Sequence, residues 1–300
     1  MTDRGPALSP LMAAAAEPLL CTLPLEHPGS PLIDAGIADS IELAAAAGFG
    51  SVSVCPTHPA HGLADAEATA RFLDRRGPDS LPIRVADVLN VDLWRRGDFA
   101  VEDAAQAERL DLCARVGAGS VNTIAYQPEL PPLDLAGANL ARLCDLAAAR
   151  GLAINFEFLP FAGVCGIRSV SRLLEATDRD NLGICLDLWH WFRSPEGQDL
   201  EALRALPPER VHVLQFSDAP AAPAADLARE TVTARRLPGE GDVDIAAVLD
   251  ALEQMGAAPV VATEVFSDEL VALGKAENVR RQYAGVRRAL AGRGAQTEAV

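Results

Sequence analysis

Short continuous apolar runs alternate along this chain with stretches whose apolar residues recur every three or four positions. The runs are Pro18–Leu25, Gly50–Cys55, Ile83–Leu89, Ser120–Ile124, Leu152–Glu157, Leu182–Asp187, Val211–Gln215 and Val260–Glu264. Each has the length of one strand, and they are filled rather than alternating, as parallel strands covered by helices are. Between them lie helical patterns. Leu140, Leu143, Cys144 and Ala147 stand at i, i+3, i+4 and i+7, with Asp134 placed as an N-cap and Gly151 as a stop. Ile245, Val248, Leu249 and Leu252 repeat the spacing, and Val279, Tyr283, Val286 and Leu290 mark a long closing helix. Eight strand–helix units at intervals of roughly 30 residues predict a (β/α)8 TIM barrel. A doubly wound open sheet would want a glycine-rich phosphate loop after its first strand, and the sequence offers none there. No low-complexity linker divides the chain. The expected layout is an N-terminal arm over 1–16, one barrel over 17–291 and a flexible tail over 292–300.

Four of the runs close on an oxygen-bearing side chain: Glu157, Asp187, Gln215 and Glu264. In a parallel barrel all strand exits share one rim, where barrel enzymes assemble their sites. A single strand-end acid is ordinarily a cap or half of a salt bridge. Four such residues at equivalent exits point instead to a shared cation. An all-oxygen set suits Mg²⁺ or Mn²⁺ better than Zn²⁺, and three carboxylates crowded together would raise one another's pKa without one. One divalent ion is therefore expected. Two long connections, Ser194–Glu209 and Ser217–Gly241, leave the same rim and have the place of lids. The second ends in ARRLPGEGDVD, whose glycines permit a tight turn and whose Arg235 and Arg236 could meet a substrate oxygen or phosphate.

Composition narrows the partners. With 300 residues, 49% of them hydrophobic, the chain can bury one large core. A formal charge of −16 argues against nucleic acid and anionic membranes. Six cysteines occur without any C-x-x-C pair, several inside apolar runs. They read as buried free thiols in a reducing compartment, so a cytoplasmic location is expected. No apolar run reaches membrane-spanning length.

Several pieces resemble the xylose-isomerase-like barrel superfamily, the group of sugar isomerases and epimerases that also includes endonuclease IV. They are FEFLP at Phe156–Pro160, LDLWHWFRS at Leu186–Ser194, QFSD at Gln215–Asp218, RRLPGEG at Arg235–Gly241 and TEV at Thr263–Val265. The resemblance covers about Pro18 to Leu290. It implies that Glu157, Asp187, Gln215 and Glu264 are metal ligands, that His190 touches a substrate hydroxyl or carbonyl, and that Arg235 or Arg236 holds the far end of the substrate. Many of these epimerases carry histidine at the place of Gln215. Glutamine there is similar to the dehydroshikimate dehydratase branch, which eliminates water.

The reaction expected from the set is proton abstraction next to a carbonyl of a small polyhydroxylated substrate. Glu157 and Glu264 would serve as base and acid. The outcome is isomerisation or epimerisation, or, with a β-hydroxyl as leaving group, a dehydration at the same site. An endonuclease would want many histidines and a basic face, and five histidines with strong acidity count against it. A barrel that binds without catalysing would not need all four oxygen ligands. A homodimer is compatible with the sequence. Among the remaining residues, His190 is expected in a turn at the rim, His58 and His61 in a solvated loop, and His212 as a hydrogen-bonded histidine inside its strand. Asp218 is a candidate for orienting a ligand or capping a turn. Trp189, Trp191 and Phe192 could belong to core or pocket wall.

Overall fold

A computed structural model describes residues 9–25, 36–58, 61, 63, 66–77 and 79–297. Its eight strands are β1 (Leu19–Cys21), β2 (Ser51–Val54), β3 (Ile83–Asn90), β4 (Ser120–Ile124), β5 (Ala153–Glu157), β6 (Leu182–Asp187), β7 (Val211–Phe216) and β8 (Val260–Thr263). Each pairs in parallel with the next, and β8 closes onto β1 through Leu19 opposite Ala262. This is the expected (β/α)8 barrel. β1 is shorter than its apolar run, because the chain turns into a 3-10 segment at Leu23–Leu25. Glu264 falls one residue beyond β8.

The main core lies between strands and helices. Leu140, Leu143, Cys144 and Ala147 are all buried on helix Leu133–Ala148, as their spacing predicts. Ile245, Val248, Leu249 and Leu252 are buried on helix Ile245–Met255. The expected arm contains a helix, Pro10–Ala15, capped by Ser9 and burying Leu11 and Ala15. The closing helix runs Lys275–Thr297 and takes in most of the stretch expected as a tail. No described helix is long and apolar enough to cross a membrane.

The inside of the barrel follows a period of two. Leu19, Val85, Cys185, Val213 and Ala262 form one small apolar cluster. Two residues further along each strand stand Cys21, Asp87, Asp187, Gln215 and Glu264, all buried. A polar layer thus sits directly on an apolar one, at the ends of the strands where the site is built.

Candidate active site

The acids reach the rim because they extend strands whose preceding residues are locked by pairing. Glu157 lies opposite Cys185, and Asp187 opposite Gln215. Asp187 does a second local job as the N-cap of helix Leu188–Arg193, its Oδ1 accepting the His190 N–H at 2.8 Å. His190 therefore sits on a short helix rather than in the expected turn. The cap fixes the ring against the acids: His190 Nε2 lies 3.2 Å from Glu157 Oε1. Ligand atoms of Glu157, Asp187 and His190 all fall within 4.8 Å of one another.

Arg235 enters from the connection after β7 and ties the other acids together. Its Nη1 lies 2.7 Å from Asp187 Oδ2 and 3.2 Å from Glu264 Oε2. The guanidinium is held from behind by Thr231, whose carbonyl accepts from Nε at 2.7 Å and whose Oγ1 accepts from Nη2 at 2.9 Å. Thr231 belongs to helix Leu227–Thr233, docked by the buried pair of Arg193 and Glu230 at 2.7 Å. Glu230 also accepts the Trp189 indole N–H at 3.1 Å. Trp189 and Trp191 are accordingly core residues, with Phe192 packed against the core.

The PGEG turn is pinned by Asp218. Its carboxylate accepts the N–H groups of Ala219, Gly239 and Val243 at 2.8, 2.9 and 3.0 Å. A Cβ on Gly241 would lie 2.3 Å from Asp218 Oδ1, and Gly239 has a φ of 81°, so both glycines are required where they stand. The backbone bridge between Asp218 and Arg236 sets which arginine points inward. Arg236 does not: it is exposed, with Nη1 donating to the Glu240 carbonyl at 3.2 Å. Of the two arginines expected at the site, Arg235 is the one turned towards the acids.

Gln215 is buried beside Asp187 in the register, but its Oε1 accepts the Cys185 thiol at 3.1 Å instead of joining the arginine-linked acids. His212 behaves as expected inside β7, its Nδ1 2.9 Å from Asn155 Oδ1. His61 does not lie in a solvated loop. It is buried, its Nδ1 accepting the Cys55 N–H at 2.8 Å, and the half-buried His58 lines the cavity over the acids.

That cavity has a volume of about 260 Å³. Glu157, Glu264, Asp87, His190 and Arg235 form its floor, and Tyr126, Phe161, Leu159, Val88 and Phe266 its walls. A larger depression of about 780 Å³ opens at the opposite, N-terminal end of the barrel, by Arg84 and His212. It lacks the converging acids, and barrel chemistry belongs to the other rim.

Sequence reasoning missed the acid on the far side. Asp87 comes from β3, where its position looks like one polar residue in an apolar run. It accepts from Asn122 Nδ2, and Cys21 Sγ lies 3.4 Å from its Oδ2 and 3.2 Å from Glu264 Oε1. The alternation Val85, Asp87 on an inward strand face was the available signal.

Electrostatics follow from burial. Burial pushes Glu157 well above the usual carboxylate range, with Asp187 adding and Arg235 opposing. Burial likewise raises Glu264 to about 8, Arg235 opposing while Glu157 and Asp187 add. His190 is pushed down to about 4 by burial, so its ring is neutral near pH 7. Its Nδ1 has no hydrogen-bond partner. Three buried carboxylates (Glu157, Asp187, Glu264) thus face one buried guanidinium. Fully ionised, these acids against Arg235 would carry the charge that one divalent cation balances, and their oxygens suit a hard one. The residues fit such an ion.

Known proteins agree with this architecture. Over 143 residues the chain is 29% identical to an inosose isomerase of Bacillus subtilis, covering 47% of this chain and 50% of that protein. It is 32% identical over 131 residues to a 3-dehydroshikimate dehydratase of Pseudomonas aeruginosa, covering 43% of this chain and 20% of that protein. The matched region spans about half the length of the inosose isomerases. Among solved structures, the IolI protein with a bound zinc atom superposes with a TM-score of 0.75 at 17% identity, over 92% of this chain and 98% of that one. A family described as the xylose isomerase-like TIM barrel matches residues 41–289, and to that family the chain belongs.

Proposed function

We propose that this protein is a divalent-metal-dependent isomerase or epimerase that moves a proton next to the carbonyl of a small hydroxylated substrate. The observation that carries the reading is the placement of Glu157 and Glu264. They stand at the ends of β5 and β8, three strands apart round the ring, and face one cavity. Two carboxyl groups on different sides of a substrate are what removal and return of a proton require.

Glu157, Asp187 and Glu264 would hold the ion, and Gln215 would add its amide oxygen on releasing the Cys185 thiol. When bound, the ion would supply Lewis-acid polarisation of the substrate's carbonyl oxygen. Mg²⁺ and Mn²⁺ suit the oxygen ligands best. Glu157, with neutral His190 at its Oε1, takes the proton. Glu264, which faces the cavity from the β8 side, returns one. Arg235 orients an oxygen of the substrate, and His190, whose ring lines the cavity, meets a hydroxyl or carbonyl. The walls of Leu159, Phe161 and Phe266 exclude water from the reacting carbon.

The cavity also favours a compact, unphosphorylated substrate. Arg235 is the single arginine or lysine on its described wall, and two carboxylates already engage it. Among the described residues of the wall, a phosphate would find no second arginine or lysine.

A second reading, a dehydratase using the same groups, is favoured by Gln215 and by the similarity to 3-dehydroshikimate dehydratase. The experiment incubates the protein with Mg²⁺ or Mn²⁺ and a panel of keto-sugars, keto-inositols and dehydroshikimate in D₂O, followed by NMR. Deuterium uptake without water loss is expected. Loss of water in place of exchange selects the lyase, and neither event with any substrate overturns both.

A further inference from the structure

The interior of this barrel is polar along a continuous line where branched apolar layers are usual. His212 contacts Asn155, Asn155 Nδ2 donates to Asn122 Oδ1 at 2.9 Å, and Asn122 donates to Asp87. Every member is buried or nearly so, and polar groups so placed cost stability unless they hold something in position. What the line holds is Asp87 Oδ1, which leaves Oδ2 turned towards Cys21 Sγ at 3.4 Å. From the other side, Arg235 holds Glu264 Oε2, which leaves Oε1 turned towards the same sulfur at 3.2 Å. One potential ligand atom from each of Cys21, Asp87 and Glu264 lies within 4.8 Å of the other two. A thiol has one proton, so it cannot satisfy both carboxylates at once. An independent observation points the same way. Ser53, opposite Cys21 in the β1–β2 register, is buried, and its Oγ has no partner within hydrogen-bond distance and angle.

We propose that Cys21, Asp87 and Glu264 form a second divalent-cation subsite, of mixed sulfur and oxygen character, on the far side of Glu264 from the first. Thiolate with carboxylates selects a borderline ion of the Zn²⁺, Co²⁺ or Cd²⁺ class, whereas the oxygen set at Asp187 selects a harder one. Charge balance supports the pairing. Glu157, Asp187 and Glu264 against Arg235 leave the charge of one divalent ion to be supplied, and Asp87 with the Cys21 thiolate leaves that of another. Binding breaks the Cys21 S–H bond, the proton goes to solvent, and the sulfur lone pair goes to the metal. With Glu264 Oε2 held by Arg235, Oε1 is the oxygen that Glu264 would offer to this second ion. The sharing of Glu264 rests on the function proposed above. The Cys21 and Asp87 ligands do not.

Titration of metal-free protein with Co²⁺, followed by absorption and by metal analysis, tests the subsite without substrate. A thiolate-to-cobalt charge-transfer band in the near ultraviolet is expected, with two equivalents bound. Cys21→Ala should lose the band and one equivalent. Asp187→Asn should lose one equivalent and keep the band, and Cys185→Ala, which removes the neighbouring thiol on Gln215, should keep both. No band in folded wild-type protein, a band that survives Cys21→Ala, or one that vanishes with Cys185→Ala instead would overturn the proposal. Should Cys21→Ala fail to fold, X-ray absorption of zinc-loaded Cys185→Ala protein decides: a sulfur scatterer at about 2.3 Å supports the subsite and a shell of light atoms alone refutes it. A protein with the band but no deuterium exchange would sink only the proposed reaction. One with exchange but no band would sink only the second ion.

Discussion

The two halves of the barrel carry acids in different ways. Between β5 and β8 the acids stand at strand ends: Glu157 and Asp187 close their strands, and Glu264 follows the last residue of β8. They meet the cavity, a helix cap and Arg235. Between β1 and β4 the polar groups lie within or at the end of short strands, and they bond mostly to one another: Cys21 to Asp87, Asp87 to Asn122. Strand ends expose a side chain to chemistry, whereas strand interiors enlist it as support. The β5–β8 half presents its acids to the cavity around Arg235, and the β1–β4 half fixes Asp87 on the same floor through Cys21 and Asn122.

Variants can break that contrast. The largest effect is expected from Glu157→Gln and Glu264→Gln, each lowering exchange of the substrate's α-proton with D₂O by about 10²–10⁴-fold while circular dichroism shows an intact barrel. Near-normal exchange in both would refute the acid and base roles. Asp187→Ala removes a helix cap and one side of a buried ion pair at once. A loss of about 3–5 kcal/mol in urea unfolding is expected, because Arg235 is left partly uncompensated. In the other half, His61 gives a pH dependence. Burial and His58 push it down to about 3 from an unfolded value near 6.5. Its neutral form therefore stabilises the fold above about pH 6.5, and that contribution is lost as pH falls towards 3, at most about 4–5 kcal/mol. His61→Gln, able to accept the same Cys55 N–H, should flatten the denaturation midpoint against pH in this window. Asn122→Ala leaves the buried Asp87 short of a donor and should cost about 1–3 kcal/mol with less change in exchange rate than either glutamate variant. The smallest effect belongs to Arg236→Ala. The side chain is exposed, and less than about 0.5 kcal/mol and no change in exchange are expected. A strong effect there would mean that the wrong arginine has been placed at the site.

The same contrast explains what the sequence could say. Apolar runs made the strands legible, and an acid after such a run is conspicuous, so Glu157, Asp187 and Glu264 stood out. Cys21 and Asp87 did not. A cysteine in an apolar run reads as a small hydrophobe, and one aspartate before Val88 and Leu89 reads as a strand-end accident; only the closed ring brings them to Glu264. The choice between Arg235 and Arg236 was equally hidden. It depends on the Asp218 bridge, which sets the phase of a short antiparallel contact that adjacent arginines cannot announce. His190 seemed to lie in a turn because a six-residue helix is too short to show periodicity. His61 seemed solvated because a proline-bounded loop looks polar until a backbone N–H is seen pointing at it.

Arg235 has one more implication. Its Nη1 already sits between Asp187 and Glu264, so the protein carries a counter-ion of its own, tethered by Thr231. It offsets part of the acids' charge whether or not an ion is present. If the site takes a divalent ion as proposed, a chelator is expected to abolish deuterium exchange and to lower the melting temperature without unfolding the barrel, because an ion held by the native state stabilises it by mass action.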